Sequence, residues 1–301
     1  MTGESGAADR SFVVREADGP EHRACRMLLP EAEASLGWAR LLVAADPGTG
    51  AVMGAAMALP MRHQGGDAHE RFIMRVARPF RGRGIGTALL ALLEAAARSA
   101  GTKALVATAA DGDAAAFLGR SGFVLQERVL SWEIDVHASR ARVAPIIDRV
   151  LRGAHVPAGV RIDPLTAEAI PRLAALHSEL IGGVAHAVAA RMREMLADPA
   201  WAHSRVLSVA GIPQALFAAR PAGSSSSVPF HFVAPHLQAG RGGSGWATLL
   251  VFGEMLERAR DARVERCEFD CLERNGPMMA LAARFGARRT AAREMLFRPV
   301  A

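Results

Sequence analysis

"RVARPFRGRGIGTALLALLEAAARSAG", residues 75–101, places Gly82, Gly84 and Gly86 among Arg78, Arg81 and Arg83, just ahead of a long Leu/Ala stretch. Ile85, Leu89, Leu93 and Ala97 then recur every fourth residue, which predicts a helix with one apolar stripe. Glycine is a poor residue for the first turn of such a helix, costing about 1 kcal/mol each against alanine. A turn built this way implies close access to its backbone. The apolar run "ERFIMRVA" before it reads as a strand.

Strand, glycine turn and helix N-terminus together make an anion site. The first amides of a helix have no acceptor inside it, and the helix dipole adds partial positive charge there. Thr87 can add a hydroxyl donor, and Arg81 and Arg83 can add charge. The guest this favours is a phosphate or pyrophosphate. A P-loop would need a lysine before Thr87, where Gly86 stands. A dinucleotide fingerprint needs G-x-G-x-x-G after a first strand, but the spacing here is G-x-G-x-G after several strands.

Working outward, the chain reads as one plan written twice. In the first half "SFVVREA" is a strand, followed by a helix over Pro20–Gly37 and a hairpin across "PGTG" (47–50). After the glycine turn come the strand "KALVATAA", a short helix in "GDAAAFLGRSG" and the strand "FVLQERVLSWEID". The second half restarts with "GVRIDPLTAEAIPRLAALHSELIG", with Thr166 as its N-cap, and a hairpin across "GIP". It continues through "SVPFHFVAP", a long helix after "RGGSG", "VERCEFDC", "NGPMMALAARFG" and "ARRTAAREMLFRPV". Arg81 and Arg241 stand 160 positions apart, as do Leu89-Leu90 and Leu249-Leu250; Asp111 and Asn275 stand 164 apart, as do Gly122 and Gly286. This predicts a mixed α/β fold in two tandem domains, 1–138 and 159–301, joined by a partly helical linker over 139–158. "AGSSSS" (222–227) reads as a flexible loop.

Val76, then Arg81-x-x-Gly84-x-Gly86, then Leu89-Leu90, resembles the acyl-coenzyme A signature of the GNAT-type N-acetyltransferases, and "AAAFLGRSGF" (114–123) resembles that family's later helix and "GF" segment. The resemblance covers about residues 11–135 and, more weakly, 159–299. It implies two tandem GNAT domains, each a mostly antiparallel, splayed sheet flanked by helices. It also implies transfer of an acetyl or other short acyl group from acyl-coenzyme A to an amine of a small molecule or peptide. On this resemblance the backbone of Met74, Arg75 and Val76 would bind the pantetheine arm in a slot between strands at 70–78 and 103–110. The Val76 amide would meet the thioester carbonyl and stabilise the oxyanion. Arg81 and the amides of Gly82, Arg83, Gly84, Ile85, Gly86 and Thr87 would hold the pyrophosphate. Asp111 stands where the family often has an asparagine, and the second copy keeps Asn275 there.

Two catalytic assignments stay open on sequence. The family's tyrosine acid corresponds to Leu118, and the chain has no tyrosine. Ser121 or water could replace it, or no acid is required, since a thiolate is a tolerable leaving group. Glu70 or His69 could take the amine proton directly or through water, or both could mark a solvated strand end. His177 and His186 read as ordinary surface or core histidines. In the second copy Ser244 and Trp246 replace two glycines after Arg241, which predicts a structural or substrate-shaping domain. Gly240, Gly242, Gly243 and Gly245 could still build a different anion loop.

Composition narrows the classes. The net charge is +6, yet Lys103 is the single lysine and the arginines are spread along the chain, so a polyanionic small ligand suits it as well as a nucleic acid. Two other functions remain in view: an aminoacyl-tRNA-dependent transferase, and a coenzyme A-binding scaffold without catalysis. Cys25, Cys267 and Cys271 lack further ligands at metal spacing and read as buried thiols, so no metal is expected. No apolar run approaches ~18 residues, and the N-terminal residues lack a signal-peptide layout, so a cytoplasmic, membrane-free protein is expected.

Overall fold

Alternating apolar residues have two faces to cover, and this chain covers them in two separate compact units: Met1–Thr108 with Phe297–Ala301, and Ala109–Leu296. The computed structural model describes residues 12–29, 39–62, 68–109, 111–153, 156–180, 184–238 and 245–300.

The first unit runs β1 (Val13–Glu16), α1 (His22–Leu28), β2 (Arg40–Ala45), β3 (Val52–Arg62), β4 (Ala68–Val76), α2 (Ile85–Ser99) and β5 (Ala104–Ala109, split at its last residue from the unit). Its strands lie in sequence order: β1 to β4 are antiparallel neighbours, and β4 pairs β5 in parallel. The turn at "PGTG" closes as expected, with the Asp46 carboxylate accepting from the Gly48 and Thr49 amides at 2.9 and 2.8 Å. The helix expected from Pro20 ends at Leu28, and residues 30–38 lie outside the described set. Leu41, Val43, Ala55 and Met57 pack with Cys25 and Leu29 on the α1 face. The opposite face takes α2, which buries Ile85, Leu89, Leu90, Leu93 and Ala97. Gly54 makes this close: a Cβ there would sit 3.0 Å from Ile85 Cγ2 and 3.4 Å from Leu89 Cδ1.

The second unit continues through α3 (Gly112–Arg120), β6 (Val124–Asp135), α4 (Val136–Arg152), β7 (Val160–Pro164), α5 (Ile170–Leu180), α6 (Ala185–Ala197), β8 (Arg205–Val209), β9 (Ile212–Ala222) and β10 (Ser225–Val233). It ends with α7 (Pro235–Gln238), α8 (Trp246–Asp261), β11 (Arg266–Leu272), α9 (Gly276–Phe285) and β12 (Arg288–Pro299). Its strand order is β7-β8-β9-β10-β11-β6-β12. Three antiparallel pairs and then a parallel pair, β10 with β11, repeat the directions of β1 to β5. β6 pairs antiparallel with β11, from Arg266↔Asp135 to Leu272↔Val129. The strand that closes the first copy in sequence is therefore part of the second unit. Conversely, the end of β12 serves the first unit: the Val300 amide donates to the Lys103 carbonyl at 2.9 Å, the Phe297 ring meets His69 edge-on at 5.6 Å, and Arg298 pairs with Glu94.

The first half of α8, Trp246 to Gly253, is buried on every side, as befits a helix end inside a core, and charged residues such as Glu254, Glu257 and Arg258 follow in its second half. The Phe252 ring meets Phe217, Phe269 and Phe285 at 5.6, 5.5 and 4.7 Å. One reading changes here. "AGSSSS" is no flexible loop. Gly223, at φ 63°, turns β9 into β10, and Ser225, Ser226 and Ser227 pair on both sides, with Ala222, Pro221 and Arg220 and with Arg266, Cys267 and Glu268. Serines small enough for a crowded central strand resemble linker residues in composition alone. Most of the 139–158 segment is α4, capped where the Asp135 carboxylate accepts from the Ala138 amide at 2.7 Å, and Ser139 and Val143 are buried.

Candidate active site

β4 holds one edge of its backbone open. Its antiparallel pairing with β3 runs the whole strand, from Arg62↔Ala68 to Gly54↔Val76. Its parallel pairing with β5 covers only His69↔Ala104 to Phe72↔Ala107. Beyond Phe72 the two strands part, leaving Ile73–Val76 without a ladder on the β5 side. Amides alternate direction along a strand. The Ala77 amide donates to the Met53 carbonyl at 2.8 Å, so the amides of Val76 and Met74 point the other way, into the gap. The main chain of Arg75 faces β3, and its guanidinium donates to the Leu28 carbonyl at 3.1 Å.

The carbonyl of Val76 accepts from Arg81 Nε at 3.2 Å, which ties the strand end to the glycine turn. Gly82 and Gly84 have φ of 79° and 80°, a left-handed backbone that disfavours any residue with a Cβ. No atom lies within 4 Å of where either Cβ would be, so backbone direction and not crowding demands glycine. Gly84 is the N-cap of α2 and no side chain caps it; the first helical bond is from the Ala88 amide to the Gly84 carbonyl, 3.0 Å. The amides of Ile85, Gly86 and Thr87 thus have no acceptor within the helix. Residues 81–84 are exposed, and the Arg83 guanidinium lies over the Phe80 ring at 5.5 Å. An exposed, uncapped helix start beside a strand with spare amides suits a long ligand with an anionic end and an amide-bearing arm.

Glu70 is far from a solvated strand end: it is 5 % exposed. Its register partners, Pro60 on β3 and Leu105 on β5, bring no charge. Arg40 of β2 reaches it, with Nη1 3.9 Å from Oε1. Oε2 is buried without a hydrogen-bond partner, an arrangement that costs about 1–3 kcal/mol. Burial pushes the Glu70 carboxyl above its ordinary pKa, and the Arg40 charge opposes that. Sequence reasoning missed both Arg40 and Gly54. An isolated glycine in an apolar strand was a signal for the second; nothing local marks the first.

The remaining candidates lie in the second unit. The Asp111 carboxylate caps α3 by accepting from the Ala114 amide at 2.8 Å. Ser121 ends the same helix, its hydroxyl donating to the Phe117 carbonyl at 3.0 Å, and Leu118 is buried. His177 is buried on α5 with its ring edge-on to Phe232 at 5.5 Å, whereas His186 is exposed on α6. Gly245 caps α8 in the left-handed region, and Trp246 is only 4 % exposed within the core. Gly240, Arg241, Gly242, Gly243 and Ser244 lie outside the described residues. Among the described residues no group of three or more His, Cys, Asp or Glu could hold a metal, and no helix is long and apolar enough to cross a membrane.

Known proteins resemble this chain in sequence over its first part and in fold over nearly its whole length. Residues 10–123 match the family model described as Acetyltransferase (GNAT) family. No curated protein matches the chain in sequence. Among solved structures, a tandem GNAT protein from the clavulanic acid biosynthesis pathway is similar at 18% identity and a TM-score of 0.58, covering 96% of this chain and 98% of that one. A GCN5-related N-acetyltransferase from Sphaerobacter thermophilus is similar at 15% identity and a TM-score of 0.57, covering 97% and 96%. Another from Kribbella flavida reaches a TM-score of 0.61 at 13% identity, covering 98% of this chain and 72% of that one. At such identities the structural likeness speaks to fold, and the family model speaks to residues 10–123. Residues 10–123 are thus similar to the acetyltransferase domains of the GNAT family, in a chain whose fold is like that of a tandem GNAT protein.

Proposed function

We propose that the first copy, 1–138, is the active one, and that it moves an acetyl or other short acyl group from acyl-coenzyme A to an amine of a small molecule or peptide. The observation that carries this is the junction at Val76. The Val76 amide, directed into the β4–β5 gap, lies eight residues before Gly84, the uncapped start of a glycine-turned helix, and Arg81 between them ties the two.

The amides of Gly82 to Thr87, with Arg81 and Arg83, suit the pyrophosphate. The Met74 and Val76 amides suit the arm and the carbonyl to be attacked. Bound acyl-coenzyme A supplies the acyl group already activated as a thioester. The acceptor nitrogen forms its bond to the acyl carbon and gives its proton to water; Glu70, six strand residues and about 20 Å from Val76, is too far to take it directly. The carbon–sulfur bond breaks, and the sulfur leaves as thiolate without needing an acid. The Val76 amide donates to the carbonyl oxygen as negative charge builds there. Ser121, whose hydroxyl is turned to the Phe117 carbonyl, is the weaker choice of acid. The intact turn supports this reading over transfer from aminoacyl-tRNA, and the absence of a membrane-length helix among the described residues fits work in the cytoplasm.

The test is release of free coenzyme A thiol from acetyl-coenzyme A against a panel of amines. Wild-type protein should release thiol in step with amine acylation. Gly84→Glu, which sets a carboxylate beside the anion site, should lose both turnover and calorimetric binding. Unchanged affinity in folded Gly84→Glu protein overturns the reading.

A further inference from the structure

The open end of β4 has two sides, and they are covered differently. Val76 is the register partner of Gly54, and a Cβ on Gly54 would stand 3.0 Å from Ile85 and 3.4 Å from Leu89 of α2. The helix α2 therefore occupies the side to which Val76 points. An acceptor has the other side for its approach to the acyl carbon, where Ile73 packs with the α1 cluster. Alternation puts Arg71 and Arg75 on that side too, two residues before and two after Ile73.

The two guanidiniums reach in opposite directions. Arg75 turns toward α1, and its Nη1 donates to the Leu28 carbonyl at 3.1 Å, in the last turn, where carbonyls have no donor within the helix. Arg71 turns toward β5, with Nη2 3.4 Å from Thr108 Oγ1. Thr108 follows Ala107, which pairs with Phe72, so this contact draws the Arg71 guanidinium along the gap to the level of Ile73. From that level Val76 is three strand residues away, about 10 Å, and from Arg75 it is one residue away. Both arginines are half-buried. Positive charge thus brackets the acyl end of the gap. Glu70 lies on the α2 side by the same alternation, and Asp18 and Glu21, ahead of α1, are held by Arg15 at 3.1 and 2.7 Å.

Resting on the acyl-transfer reading above, we propose that the acceptor is an anionic amine, with Arg71 and Arg75 as the residues that select it. It carries a carboxylate or phosphate within about 10 Å of the nitrogen to be acylated. A guanidinium presents its N–H groups as a planar fork that matches two oxygens of either anion. The Leu28 carbonyl orients one fork and Thr108 the other. Charge-assisted hydrogen bonds from them hold the anion over Ile73 and bring the amine toward Val76. The same two charges repel a polycationic amine.

The experiment compares matched acceptors, each anionic amine beside a neutral counterpart: 4-aminobutanoate with its amide, glycylglycine with its amide, and 2-aminoethyl phosphate with 2-aminoethanol. Wild-type protein should favour the anionic member by about tenfold or more in kcat/KM, chiefly through KM. The carboxylate and phosphate pairs tell which anion is taken. Arg71→Met and Arg75→Met should each lower this ratio, the double variant should bring it close to one, and Arg75→Lys should keep part of it. The ratio is taken within each protein, so a general loss of folded enzyme or turnover cancels. A wild-type ratio near one, or one that favours the neutral members, overturns the proposal, as does a preference that survives in the double variant. Acylation of neutral and anionic amines alike removes only the anionic acceptor. If no amine of either kind drives release of coenzyme A thiol, the acyl-transfer reading itself has failed.

Discussion

Asp111 and Asn275, 164 positions apart, do the same work: the first accepts from the Ala114 amide at 2.8 Å and the second from the Met278 amide at 3.2 Å. Each opens a short helix that ends on a left-handed glycine, Gly122 at φ 81° or Gly286 at φ 67°. Asp111→Asn should therefore cost little, because the second copy already uses that residue as a cap. Asp111→Ala should lower stability by about 1 kcal/mol. Urea unfolding of the two variants distinguishes them, and equal losses would show that the carboxylate, not the cap, matters at this position.

Gly84 should answer to backbone geometry. With φ at 80° and no atom within 4 Å of where a Cβ would stand, Gly84→Ala should be strained by about 1–2 kcal/mol without any clash. Gly84→Asn should recover part of that, since asparagine tolerates the left-handed region. Equal stability of all three proteins in chemical denaturation would contradict the role of the turn.

Trp246 begins α8 inside the core of the second unit, so Trp246→Ala should destabilise that unit by about 3–5 kcal/mol. With Ser244 and Trp246 in place of two glycines of the first copy's turn, the second copy is expected not to take a pyrophosphate in the same way. Calorimetry should then count one acetyl-coenzyme A per chain. Two equivalents would mean that the second copy binds as well.

Arg15 and Glu21 make an acid-sensitive contact. Burial alone would raise the Glu21 carboxyl, but two Arg15 hydrogen bonds at 2.7 and 2.9 Å and one from the Asp18 amide outweigh it and hold the group below its ordinary value. A carboxylate lowered by folding adds stability above its unfolded pKa and loses it as pH falls through the folded value. Stability should thus decline below about pH 4.5, and Glu21→Gln should flatten that part of the curve. Melting temperatures across the acid range provide the check.

Much of this was legible because the relevant chemistry is local. Three glycines before an apolar stripe specify a turn and an exposed helix start whatever else surrounds them. The doubled element order follows from spacing alone. What escaped depends on partners chosen across long distances. β6 reads as a strand from its own residues, but nothing in "FVLQERVLSWEID" tells that it pairs with β11 and not with β5. Arg40 and Glu70 are two strands apart, so neither strand's pattern announces the pair. Ser225 to Ser227 look like a linker because composition carries no information about neighbours on both sides.

The placement of residues 297–300 against β5 and α2 bears on how such a chain is made. Lys103, His69 and Glu94 leave the ribosome long before Val300, Phe297 and Arg298 exist to meet them. Domains ordinarily finish folding in the order of synthesis. Here the first unit must wait with its β5 edge unpaired until the last strand arrives, while β6, made early, waits for β11. A gene split in the 139–158 region would hand each fragment a strand that belongs to the other, so neither fragment alone would carry its full sheet.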